Sequence, residues 1–172
     1  MSIKIIQDRL DSYHCKTALE EELALREITQ EVALAALART DFFMFAAFQG
    51  GTCLRIFYGT NRFSEDFDFI LKEPDKSFDL QPYLKGLLNE LLAYGYELEL
   101  TDRSKAEIAV KKAFLKDASI GKLLQLSHLR ADRSMRKIRI KLEIDTNPPT
   151  GSNYETRSVS YTHLTLPTIL LV

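Results

Sequence analysis

Residues 137–145 read KIRIKLEID. Side chains two apart on a strand share a face, so this alternation predicts a strand with Ile140, Leu142 and Ile144 turned one way. Lys141, Glu143 and Asp145 then face the other way, and Asn147-Pro148-Pro149 ends the element. Residues 66–71 (DFDFIL) alternate before becoming fully apolar, which predicts a second strand. On it Asp66 and Asp68 share one face, while Phe67 and Phe69 pack on the other. A chain with two such strands must build a sheet with one face in a core.

The remaining segments supply that core. Residues 17–37 are rich in Ala, Leu and Glu without Gly or Pro, which favours a long helix, and residues 3–13 are expected to form a shorter one before it. Residues 42–48 (FFMFAAF) form a short apolar run stopped by Gly50-Gly51, consistent with a buried strand. Residues 52–58 read as a brief helix with Thr52 as its amino-terminal cap. A leucine-rich helix is expected over residues 80–93, closed by Gly95. Strands are expected at 96–100 and around 108–115, and a short helix near 120–126. The chain has 172 residues, 45% of them hydrophobic, enough for one domain with a real core. The fold class is therefore α/β (α+β): a helical segment over residues 1–40, then a mixed core over residues 41–158.

Composition narrows the function. The net charge of −1 provides no global basic field, so any nucleic-acid partner must be met by a local patch. The two cysteines, Cys15 and Cys53, lack paired spacing, and His14-Cys15 without distant partners does not make a zinc site. With no secretory signal and no stretch of transmembrane length, a reduced cytoplasmic protein that makes no membrane contact is expected.

Chemistry concentrates in residues 50–69, GGTCLRIFYGTNRFSEDFDF. Two glycines between a strand and a helix allow close backbone approach to a ligand, and the helix start presents free N–H groups to phosphate oxygens. Taken alone, Gly-Gly before a helix is usually just a turn. Asp66 and Asp68 on one face repel each other unless a cation lies between them, which suits magnesium, although an isolated pair also fits an acidic face in water. If the strand at 137–145 pairs beside them, Glu143 completes a set of three acids. Lys141, two residues away, can then neutralise a triphosphate. Asp145 competes with Glu143 for the third place.

A glycine-rich strand–turn–helix (Gly50, Gly51, Thr52), an Asp-x-Asp (Asp66, Asp68) and a third acid on a later strand between apolar residues (Glu143 between Leu142 and Ile144) resemble the nucleotidyltransferases of the polymerase-β superfamily. Within it, the fuller string, with Leu54, Arg55, Tyr58, Gly59, Arg62, Ser64 and Glu65, is similar to the AbiEii abortive-infection toxins, as is the later run from Lys141 to Ile144. The resemblance covers residues 42–145. It implies a polymerase-β-type core and transfer of a nucleotide from a nucleoside triphosphate (NTP) to an acceptor such as tRNA. It also implies two magnesium ions, or manganese in their place, held by Asp66, Asp68 and Glu143, with Lys141 in the catalytic set. Gly50, Gly51, Thr52, Arg55, Arg62 and Ser64 are then expected to bind the nucleotide, and an antitoxin encoded nearby is the expected protein partner in phage defence. The rival reading is a non-catalytic nucleotide-binding module of the same fold that acts through a partner protein. Thr52 stands where the superfamily often has Ser, an exchange of one hydroxyl for another.

Arg55 and Arg62 each fit two roles, contact with phosphate or support of an acidic neighbour such as Glu65. The run Arg130, Arg133, Arg136, Lys137, Arg139 and Lys141 is either a solvated charged edge or a patch for RNA or nucleotide phosphates. From Val159 the sequence reads VSYTHLTLPT, which resembles a translated sequencing adapter. Residues 159–172 are accordingly expected to be an artefactual tail, His163 included, with the natural protein continuing where this chain stops. The plain alternative is an edge strand, since Val159, Tyr161 and Leu164 are strand-compatible.

Overall fold

The structure is a computed structural model that describes residues 2–60, 63–103, 109–117, 119–129, 138–159 and 164–168. Two helices lead, α1 (Ser2–Asp11) and α2 (Ala18–Ala38). The hydroxyl of Thr17 accepts from Glu20 N at 3.2 Å and caps α2. Then come α3 (Phe42–Phe45), β1 (Ala46–Gln49), α4 (Gly50–Tyr58), β2 (Asp66–Leu71) and α5 (Gln81–Ala93). The rest is β3 (Leu98–Asp102), β4 (Val110–Asp117), α6 (Ile120–Leu123), β5 (Ile138–Asp145), β6 (Glu155–Val159) and β7 (Leu164–Thr168).

The strands form one mixed sheet in the order β3-β4-β5-β2-β1-β7-β6. At its centre β2 and β5 run parallel, while β1 pairs antiparallel with β2 and β4 antiparallel with β5. Parallel strands need a long crossover between them, and α5, β3, β4 and α6 occupy that connection here. One face of the sheet is dry. Ile138, Ile140, Leu142 and Ile144 of β5 join Phe67 and Phe69 of β2, Phe48 of β1, and Ala113 and Leu115 of β4 in a single cluster. Leu25, Ile28, Leu34 and Leu37 of α2 and Leu84, Leu87 and Leu91 of α5 complete it, with Ile6 and Leu10 of α1. Each such Leu, Ile or Phe side chain, fully buried, contributes about 1.5–3 kcal/mol. The phenyl rings interlock edge-to-face, with centroids of Phe42 and Phe69 4.9 Å apart and of Phe48 and Phe67 5.6 Å apart.

The fold class is the one expected, and four local readings need correction. The apolar run at 42–48 divides: its first four residues make a helical turn and only the rest is strand. Phe42 N bonds the Thr40 hydroxyl at 3.2 Å, and Met44 and Phe45 are exposed, so Phe42 and Phe43 alone reach the core from the turn. Helix α4 begins at Gly50, and Thr52 caps nothing. The expected strand at 96–100 starts later, because Tyr96 is buried in the core with its hydroxyl 3.1 Å from Thr29 Oγ1. The short helix at 120 ends at Leu123, where Leu124 takes an extended conformation.

Candidate active site

The register of the two central strands places the acids. Asp68 lies opposite Glu143, and Asp66 opposite Lys141, so all four side chains stand on the face of the sheet away from the core. Asp145 lies two pairs further along, opposite Ile70, and accepts a hydrogen bond from Asn147 N at 2.9 Å. Lys141 Nζ is 3.0 Å from Glu143 Oε1 and 3.8 Å from Asp66 Oδ2. From β4, Lys112 Nζ reaches Glu143 Oε1 at 2.7 Å.

These neighbours divide the acids electrostatically. The hydrogen bond from Lys112, with Lys141 beside it, holds the Glu143 carboxyl below its ordinary range. Burial pushes the Asp68 carboxyl up, and the charges of Asp66 and Glu143 push it further, against an opposing pull from Lys141. The hydrogen bond to Glu143 raises the Lys141 ammonium in turn.

The glycine turn meets these acids from the β1 side. Gly50 has φ +77°, a left-handed backbone that disfavours any side chain. A Cβ built there would fall 2.3 Å from Asp68 Oδ2, so the missing side chain is what lets Asp68 lie against the turn. A Cβ at Gly51 would meet Ser64 Oγ at 3.1 Å. Thr52, fully buried, donates its hydroxyl to Asp66 O at 2.6 Å and thereby ties the start of α4 to the start of β2. Gly50, Gly51, Thr52, Ser64, Asp66, Asp68, Lys141 and Glu143 are thus gathered at one end of β2.

Arg55 is not among them. Its guanidinium pairs with Glu27 of α2 and lies over the Phe63 ring, 5.0 Å from the centroid. Of the two roles open to it, the structure gives it an acidic neighbour, though Glu27 and not Glu65. Arg26 holds Glu65, and also Glu22 at 2.8 Å. Arg62, and Arg130, Arg133, Arg136 and Lys137 of the basic run, lie outside the described residues, as does His163. The contributions of α2 and of Lys112 were not foreseen from the sequence. Gln30 donates Nε2 to Ser64 O at 2.8 Å, while its buried Oε1 has no partner. A single Glu-x3-Arg pair on a helix gives no hint that the helix clasps a loop some thirty residues away. For Lys112 the alternation of β4 was the available signal.

The donor set fits a hard divalent cation in kind: three carboxylates, all oxygen, with Asp68 carrying an electrostatic load that a cation would relieve. Among the described residues no group of three potential ligands is arranged to hold an ion, and Glu143 is shared between two lysines. Holding an ion at this face would require Glu143 to turn from one of them.

The family described as nucleotidyl transferase AbiEii toxin, type IV toxin–antitoxin system, matches residues 32–169. The chain belongs to this family. Among solved structures the AbiEii chain is similar to JHP933 from Helicobacter pylori, with 19% identity and a TM-score of 0.53 over 88% of this chain and 53% of that one. It is also similar to an H. pylori protein described as a candidate nucleotidyltransferase, with 19% identity and a TM-score of 0.50 over 85% of this chain and 52% of the other. At this identity the likeness is one of fold. The AbiEii chain spans about half the length of both. Comparison with curated proteins yields no match. No helix among the described residues is long and apolar enough to cross a membrane.

Proposed function

We propose that this AbiEii chain forms the catalytic part of a magnesium-dependent nucleotidyltransferase that moves a nucleotide from an NTP to an RNA acceptor such as tRNA. It would act as the cytoplasmic toxin of a type IV toxin–antitoxin pair in phage defence, with an antitoxin as its partner. One observation carries the reading: Asp66, Asp68 and Glu143 stand on one sheet face, in register across β2 and β5, with the Gly50 turn pressed against Asp68.

In this reading Asp66, Asp68 and Glu143 would hold two magnesium ions, or manganese in their place. Cations bound there supply charge neutralisation for the triphosphate and for the oxygens at the reacting phosphorus. The backbone N–H groups at the start of α4 receive phosphate oxygens, helped by the positive end of the helix dipole. Gly51 and Ser64 line the same turn. Thr52 acts through Asp66, whose carbonyl it binds, and so keeps turn and strand in fixed relation. Lys141 would offer its ammonium to the phosphate tail. The hydroxyl of the acceptor attacks the α-phosphorus in line, the bond to the bridging oxygen breaks, and pyrophosphate and a proton are released. Arg55, held by Glu27, supports α4 from behind. A contact of Arg62 with phosphate belongs to the same proposal.

The test is incubation of the purified protein with magnesium, each α-labelled NTP and total bacterial RNA, beside Asp66→Asn and Asp68→Asn. Label moves to RNA with the wild type and with neither variant. Transfer by both variants at the wild-type rate would sink the acid site. Magnesium-dependent NTP binding without transfer would favour the rival reading, a nucleotide-binding module.

A further inference from the structure

Beyond Glu143 the polar face of the sheet continues across β4 and β3, and its chemistry changes there. Phe114 lies opposite Lys141 on one side and Thr101 on the other, and Lys116 lies opposite Arg139. Arg103, whose backbone N donates to Lys112 O at 2.9 Å, lays its guanidinium over the Phe114 ring, 5.3 Å from the centroid. These residues line a cleft of about 320 Å³ whose inner wall is Asp66 and Lys141. The volume lies at the small end of the ~300–1,000 Å³ of ligand sites, room for one nucleotide and not for a duplex. Phe114 is half-buried on the side of the strand that faces away from the core, while its neighbours Ala113 and Leu115 fill the core. An aromatic ring among four cations, which outnumber the two carboxylates of the lining, Glu65 and Asp66, is a local concentration that the chain's net charge of −1 does not predict.

The position of the cleft says what it takes. The glycine turn flanks the acids from the β1 side of β2, and the cleft flanks them from the β5 side. Phosphoryl transfer puts the attacking and leaving oxygens on opposite sides of the phosphorus. With the triphosphate tail on the turn, the attacking hydroxyl must come from the cleft. We infer that this cleft receives the unpaired terminal nucleotide of the RNA acceptor, its base against the Phe114 ring and the Arg103 guanidinium that lies over it, and its phosphates against Lys116 and Arg139. The direction of approach rests on the proposed transfer reaction. The ring and the cations are the usual means of holding a single strand, by stacking and by charge.

The test is binding of a fluorescent single-stranded oligoribonucleotide in EDTA, followed by anisotropy, with thermal melts to establish that each variant is folded. Phe114→Leu weakens binding about tenfold and Phe114→Tyr stays within about twofold of the wild type, since a base stacks on either ring. Lys116→Gln with Arg139→Gln flattens the dependence of log affinity on log salt by about 1.4, the value for two single-strand phosphate contacts. Millimolar ATP leaves the oligonucleotide bound. Equal affinity of wild type and Phe114→Leu would overturn the inference, as would displacement by ATP together with an equal loss of ATP affinity in Phe114→Leu, which would give the cleft to the incoming nucleotide. Because the readout needs neither cation nor turnover, Phe114-dependent binding without transfer would sink the reaction alone. Transfer without any Phe114-dependent binding would sink the cleft assignment alone.

Discussion

At Gly50 a backbone requirement and a steric one coincide. A φ of +77° costs an L-residue about 1–2 kcal/mol, and the Cβ of any such residue would overlap a carboxylate oxygen of Asp68. Gly50→Ala is therefore expected to lower unfolding free energy by about 2 kcal/mol or more, read in urea, and to displace Asp68. Asp68 itself carries an electrostatic cost. Its folded carboxyl is raised above the unfolded value, so the folded state binds the proton more tightly than the unfolded chain does. Stability is then lost as pH rises from the ordinary carboxyl range through the folded value, and the deficit persists at neutral pH. Asp68→Asn should melt higher than the wild type at pH 7, by a margin that shrinks as the wild type protonates in acid. Scanning calorimetry across that range checks the sign, and a constant margin would contradict it. The sequence displayed Asp66, Asp68 and Glu143 openly, since strand periodicity alone assigns their common face. The partner of Arg55 it could not display, because a guanidinium accepts any carboxylate within reach and the choice of Glu27 depends on how α2 is laid.

At the scale of elements, α2 does more than cover the sheet. Glu21, buried, accepts from the backbone N–H groups of Ser127, His128 and Leu129 at 2.7–3.0 Å and anchors the stretch after α6. Further along the helix, Arg26, Glu27 and Gln30 grip Glu65, Arg55 and Ser64. Glu21→Ala removes the acceptor for all three N–H groups. Of their residues only Leu129 is buried, and water can serve the other two. A loss of about 2–3 kcal/mol in denaturant unfolding is expected, with Glu21→Gln, which keeps one acceptor oxygen, losing less. The elements legible in advance were those with a strong period or composition: α2, α5, β2 and β5. The turn α3 was missed because a short apolar run suits helix and strand alike, and the choice was made by the Thr40 hydroxyl and by which phenyl rings the core could admit.

Across the whole molecule, the strand order separates three chemistries along one sheet. The glycine turn lies on the β1 side, the acids on β2 and β5, and the aromatic and cationic cleft on β4 and β3. Alternation gives each strand its two faces but says nothing about which strands are neighbours. That β5, and not β3 or β4, lies beside β2 is a property of the whole topology, with α5, β3, β4 and α6 in the connection between them. The parallel pairing of β2 with β5 also sets an order in time. During synthesis β2 leaves the ribosome long before β5, and a nascent chain carries Asp66 and Asp68 with no Glu143 opposite them. Closure of the central pair is a late event that no local element can anticipate. A growing chain therefore carries an incomplete acidic face until Asp145 has cleared the exit tunnel.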